Sequence, residues 1–122
     1  NPGKSNIRPV ISVESIGELQ NAAGAVYCAE TVKQYIAKLS AATRKQPDFK
    51  LGVSPRASIH LMQTAKALAL LEGRDYVIPQ DVKQMCLPVL SHRLALCSES
   101  ISAGRTVDQV LTEMLHNLPV PK

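Results

Sequence analysis

SPRASIHLMQTAKALALLEG, residues 54–73, reads as one helix from end to end. Ser54 is a good N-cap, because its hydroxyl can accept from a first-turn N–H that has no partner inside the helix. Pro55 follows at the first helical position, where a missing N–H costs nothing. Leu61, Ala65 and Leu68 then recur on one face, flanked by Met62 and Ala69, and Gly73 supplies the expected left-handed stop. Arg56 does not fit this pattern. It puts a cation in the first turn, where the helix dipole is positive and carboxylates are preferred. Either it points into water or it points at something negative.

The same punctuation recurs to either side. Val32, Ile36 and Leu39, with Tyr35 alongside, predict a helix from about Ala29 to about Lys45, closed by Pro47. Further upstream, Ser12 can cap a short helix carrying Ile16 and Leu19, with Gly24 as its stop. Residues 1–11 are polar, contain two prolines and read as a lead-in to a single domain over 12–122. Downstream, Pro79 can open a helix with Gln80 and Asp81 in its first turn. Ile78 before it has no side-chain acceptor, and neither does a well-placed cap stand near Cys28. Pro88 interrupts or restarts the pattern, so PVLSHRLALC reads as a further short helix. Thr106 and Gln109 form a capping box ahead of the stripe Val107, Val110, Leu111, Met114 and Leu115. The sum is an all-α bundle of five to six helices with no strand longer than three residues. Its core should form where Leu61, Ala65 and Leu68 meet Ile36, Leu39, Leu111 and Leu115.

Composition agrees with helices. The 122 residues are 45% hydrophobic but only 3% aromatic, so the core is aliphatic. A net charge of +4 permits contact with phosphates without demanding it. Cys28, Cys86 and Cys97 are odd in number and lack metal-ligand spacing, which argues against a disulfide framework or a zinc site and for a reducing compartment. No apolar run nears the ~20 residues of a membrane span, and NPGKSNIRPV lacks the apolar stretch of a signal peptide. The expectation is a cytoplasmic domain. There is no G-x-x-x-x-G-K-[ST] loop, no H-E-x-x-H and no acidic cluster for magnesium. Taken by itself, the chain is expected to catalyse nothing.

Several blocks, in order, resemble the C-terminal helical lid of AAA+ ATPases of the MoxR family. They are Pro9-Val10-Ile11-Ser12, Tyr35-Ile36 with Thr43-Arg44, Leu51-Gly52 with Ser54-Pro55-Arg56, Gly73-Arg74-Asp75-Tyr76-Val77, Pro79 with Asp81-Val82, and Val89-Leu90 with His92-Arg93-Leu94. The resemblance implies a lid that closes over ATP bound by a preceding α/β core domain, to which residues 1–11 would be the linker. That core would bring the phosphate loop and the acid that binds Mg²⁺. It also implies that Ser54, Pro55 and Arg56 belong to the nucleotide site, with Arg56 as the sensor-2 arginine on the γ-phosphate. Further implications are a ring of subunits, expected to be a hexamer, chaperone-like remodelling coupled to hydrolysis, and partners that carry a von Willebrand factor A domain.

His60 lies one turn after Arg56 on the same side, as a cleft residue or as an ordinary surface histidine. Arg93 either buttresses the fold or faces a neighbouring subunit. Thr43-Arg44-Lys45 has a simple account in the preference of cations for a helix C-terminus, and Arg74-Asp75 reads as loop hydrogen bonding. Two other functions compete with an ATPase lid. One is a helical protein-interaction bundle without a nucleotide role. The other is a weak nucleic-acid-binding module, supported by a pI of about 9.1. Scattered basic residues and scarce aromatics speak against the second.

Overall fold

The computed structural model describes residues 23–121. The Ser12 cap, the Ile16 and Leu19 stripe and the lead-in at 1–11 lie outside the described residues, and the chain leaves helical conformation just after Gly24. Five α-helices and one small sheet follow: α1 (Glu30–Lys45), β1 (Phe49–Leu51), α2 (Pro55–Leu71), α3 (Pro79–Leu90), a 3₁₀ turn at Ser91–Arg93, β2 (Ala95–Leu96), α4 (Ser98–Ser102) and α5 (Val107–Asn117). The expected helical bundle is therefore present.

Helix α2 forms for the reasons its sequence gives. Ser54 Oγ accepts from the Ala57 N–H at 3.2 Å, and Pro55 stands first in the helix. At the far end Gly73 adopts a φ of 81°, open to glycine at little cost. The Gly73 N–H bonds to Leu70 C=O and the Arg74 N–H to Ala69 C=O, the paired closure that satisfies orphan carbonyls. The helix packs along α3 and against α1, and α5 closes over α1 and α3. Between them lies an aliphatic core in which Leu39, Leu61, Leu90, Val110 and Leu111 are completely buried.

Two expectations need correction. The buried stripe of α2 is Ala57, Leu61, Ala65 and Ala69, a strict spacing of four, and Leu68 is only half-buried. Small residues at three of these four positions let α2 approach its neighbours closely, which a hydrophobicity count does not see. Leu61→Ala should therefore cost about 2–5 kcal/mol and Leu68→Ala distinctly less, as read by urea denaturation. Equal costs would mean that the two faces are misassigned.

The second correction concerns Pro88. Helix α3 runs through it without interruption and ends at Leu90. Pro88 and Gln84 are both exposed, so the Gln84 carbonyl that loses its helical donor can be solvated. The LALC stretch is not helical. Leu94 and Leu96 are buried with half-buried Ala95 between them, a period of two, and Ala95–Leu96 pairs antiparallel with β1. The Cys97 N–H extends this pairing to Asp48 C=O at 2.8 Å.

Asp48 then receives a hydrogen bond from Ser100 Oγ, another from Gln46 Nε2 at 2.8 Å, and faces Arg105 Nε at 3.5 Å. The Ser100 and Gln46 bonds, helped by the Arg105 charge, hold its carboxyl below the ordinary value. A depressed folded pKa contributes stability that is present above about pH 4 and is lost as the pH falls through the folded value. Asp48→Asn should flatten the acid limb of a stability-versus-pH profile. An unchanged profile would remove this role. Burial pushes the Cys86 thiol up to about 12 and raises Cys28 and Tyr35 as well, so these act as core groups.

Candidate functional site

The start of α2 is fixed from behind. Thr43, completely buried near the end of α1, donates to Ser40 C=O at 2.7 Å and accepts from the Val53 N–H at 3.0 Å. Arg44 Nη1 donates to Val53 C=O at 3.0 Å. Both backbone groups of the residue before Ser54 are thus held by α1. The contact is close: a Cβ on Gly52 would lie 2.8 Å from Arg44 Cα, so only glycine fits without a shift. Ser40 Oγ and Ser58 Oγ, 2.6 Å apart, add a second link between α1 and α2. A preference of cations for a helix C-terminus accounts for Lys45 but misses this clasp, which joins residues nine and ten apart in sequence.

What the clasp presents is the first turn of α2. Pro55 has no N–H and the Ala57 N–H is taken by Ser54, so Ser54 and Pro55 shape the turn and the Arg56 N–H is left without an acceptor among the described residues. The Arg56 side chain is exposed. The other arginines of the described residues all have partners: Arg44 on Val53 C=O, Arg74 on Asp81 and Glu72, Arg93 on His60, and Arg105 on Glu113. Arg56 has none among those residues.

Arg56 lines a groove of about 420 Å³ with Ile59, His60, Gln63 and Arg93. The structure therefore brings His60 into the same groove as Arg56, one turn along α2. It also brings in Arg93, which a sequence reading leaves undecided. Arg93 Nη2 lies 2.8 Å from His60 Nδ1. The 3₁₀ turn after α3 and the pairing of β2 with β1 set where Arg93 stands. His92, next to it, is exposed and does not line the groove. Among the described residues no carboxylate lines the groove. Among the described residues no three His, Cys, Asp or Glu side chains group to hold a metal, so the donor set does not fit a Mg²⁺ ion. The arrangement offers hydrogen-bond donors and positive charge to an anion.

The chain matches the family model described as AAA lid domain over residues 41–114, a span that includes Arg56, His60 and Arg93. It is 38% identical over 115 residues to the uncharacterized protein YeaC of Bacillus subtilis (strain 168), covering 94% of this chain and 36% of that protein. It is 31% identical over 124 residues to the chaperone MoxR1 of Mycobacterium tuberculosis (strain ATCC 25618 / H37Rv), covering 94% of this chain and 33% of that one. The crystal structure of a presumed ATPase from Cytophaga hutchinsonii ATCC 33406 superposes with a TM-score of 0.82 at 30% identity, over 89% of this chain and 36% of that chain. The chain thus spans about a third of the length of the curated relatives named here.

Proposed function

The chain belongs to the AAA lid domains, as the lid of a MoxR-family AAA+ ATPase, and on that footing we propose that it closes over ATP held by a separate core domain and supplies Arg56 to the γ-phosphate. The observation that carries this reading is Arg56 itself: an arginine at the start of a helix, in a groove where the described residues supply it neither a partner nor a carboxylate. An unpaired guanidinium at the positive end of a helix is mildly unfavourable unless an anion comes to it. Phosphate is the anion that such a terminus and such a fork of donors bind best.

The reaction would be ATP and water to ADP and phosphate. Among the described residues no three His, Cys, Asp or Glu side chains group to hold a metal, and in this reading Mg²⁺ and the base for the attacking water belong to the core domain. When bound there, Mg²⁺ supplies charge neutralisation between the phosphates. This chain's part is to orient the terminal phosphate and to exclude water as the lid closes. By itself it should turn over no ATP. Family membership supports a ring of such subunits, a hexamer in this reading, whose lids turn as rigid bodies and pass hydrolysis on as remodelling of client proteins. Proteins carrying a von Willebrand factor A domain are the proposed partners. No helix among the described residues is long and apolar enough to cross a membrane, and the proposed setting is the cytoplasm. The test is the ATPase rate of the polypeptide that unites this chain with its core domain, with Arg56 intact or replaced by alanine.

A further inference from the structure

We propose that Arg93, held in place by His60, is a second arginine for the same nucleotide polyphosphate, so that the lid grips two phosphate groups rather than one. The inference rests on the reading of Arg56 above.

It starts from the bond between Arg93 Nη2 and His60 Nδ1 at 2.8 Å. A guanidinium has only donors, so Nδ1 must accept. The ring's other nitrogen, Nε2, is then the one that can donate. Arg93, His60, Arg56 and the Gln63 amide thus present a set of donors around one groove. Among the described residues no carboxylate lines the groove to compensate the two guanidinium charges.

An arginine that only braces the fold takes a carbonyl or a carboxylate. Arg44 takes Val53 C=O, Arg74 takes Asp81, and Arg105 takes Glu113. Arg93 instead takes one nitrogen of an exposed imidazole, which fixes its direction and brings it no counter-charge among the described residues. That is the bonding of a side chain aimed at something else. Its backbone comes from the turn after α3, whereas Arg56 comes from the start of α2, so the two forks reach the groove from different elements. Two separate guanidinium forks match adjacent phosphate groups, each able to take paired bonds. A single sulfate-like anion would need only one of them. His60 is the positioning residue in this arrangement, and Arg93 makes the contact.

The experiment compares kcat/KM for ATP in the polypeptide that carries both core and lid, with melting temperature recorded for each variant. Arg93→Ala should lower kcat/KM roughly tenfold to a hundredfold, at or below the ~10²–10³ for losing one preorganised donor to the reacting group, without lowering the melting temperature. Arg93→Lys should recover part of it. His60→Ala should give an intermediate loss, and His60→Asn, whose side-chain oxygen can replace Nδ1 as acceptor, should recover part of that loss. Arg93→Ala within twofold of wild type, beside an impaired Arg56→Ala, would overturn the second arginine and leave the first. Both within twofold would overturn the whole nucleotide reading. If Arg93→Ala lowers the melting temperature, inorganic tripolyphosphate titrated into the unmutated chain decides. The Arg56 and Arg93 Nε–H resonances should move together while those of Arg74 and Arg105 stay. A stationary Arg93 resonance would overturn the proposal.

Discussion

Asp81→Ala is expected to be among the most destabilising single substitutions in this domain, costing about 3 kcal/mol. Asp81 is only 1% exposed, and its two oxygens take Arg74 Nη1 and Nη2 at 2.7 Å each, a bidentate pair. One of those oxygens also accepts the Ile78 N–H at 2.9 Å. That bond is half of a capping box: Ile78 has no acceptor to return, so Asp81 alone caps α3 from the third position. Alanine would remove the cap and the pair together and would leave Arg74 to find water. The pair is also a joint between helices, because Arg74 follows the stop of α2 and Asp81 opens α3. Arg74 Nη1 additionally donates to Tyr76 C=O at 3.1 Å, which ties down the loop between them. Burying an ion pair is not stabilising in itself, but removing one partner of an existing pair is costly. Asp81→Asn, which keeps the cap and one bond to Arg74, should lose clearly less. Chemical denaturation of the three proteins checks the order. A loss under half a kilocalorie for Asp81→Ala would show that the joint carries no stability.

That joint also marks where sequence reasoning stops. The helices were legible because their signals are local: a cap, a proline at the first position, a stripe of aliphatics and a glycine at the end. Ser54, Pro55 and Gly73 each do what their positions predict. The carboxylate partner of Arg74 was not legible, because Arg74 and Asp81 look like two ordinary surface charges until α2 and α3 turn back on one another. β2 is not legible for a related reason. LALC is as good a helix as a strand by propensity, and only its pairing with β1 decides between them. Leu68 is ambiguous in the sequence because a spacing of three or four allows two adjacent stripes on α2, and it is the alanines that face inward.

The candidate site was legible in part. Arg56 stood out because it violates the dipole preference of its own helix, and His60 follows from helical spacing. The clasp of Thr43 and Arg44 on Val53 could not be seen, since a threonine and an arginine at a helix end have an adequate local account. Its physical consequence is stiffness. With both backbone groups of Val53 held and Gly52 pressed on Arg44, the first turn of α2 cannot drift relative to α1. Arg56 therefore depends on α1 for its place although no hydrogen bond of its side chain to α1 is formed among the described residues. Sequence alone does not decide Arg93 for the converse reason: its neighbour His60 lies 33 residues away.

Arg56→Ala separates the two meanings of an unpaired arginine at a helix start. In this chain alone the change should be nearly silent. The side chain is exposed and has no partner among the described residues, and the dipole repels it slightly, so alanine should leave stability unchanged or raise it by a few tenths of a kcal/mol. In the polypeptide that includes the core domain the expectation reverses. A charge-assisted contact to a phosphate that gains negative charge in a closed, dry site is worth several kcal/mol, so the ATPase rate should fall by roughly 10²–10³. Arg56→Lys should restore only part of the rate, because one ammonium on a flexible stem does not reproduce two parallel donors. The pattern matters more than any one value. A loss of rate without a loss of stability points to the phosphate, whereas a matched loss of both would make Arg56 a structural residue. Steady-state turnover of wild type, Arg56→Ala and Arg56→Lys, with assembly checked to be equal, measures it. Turnover of Arg56→Ala within a factor of two of wild type would take the γ-phosphate away from Arg56, and the arginine would then stand against its helix dipole for no reason that the fold supplies.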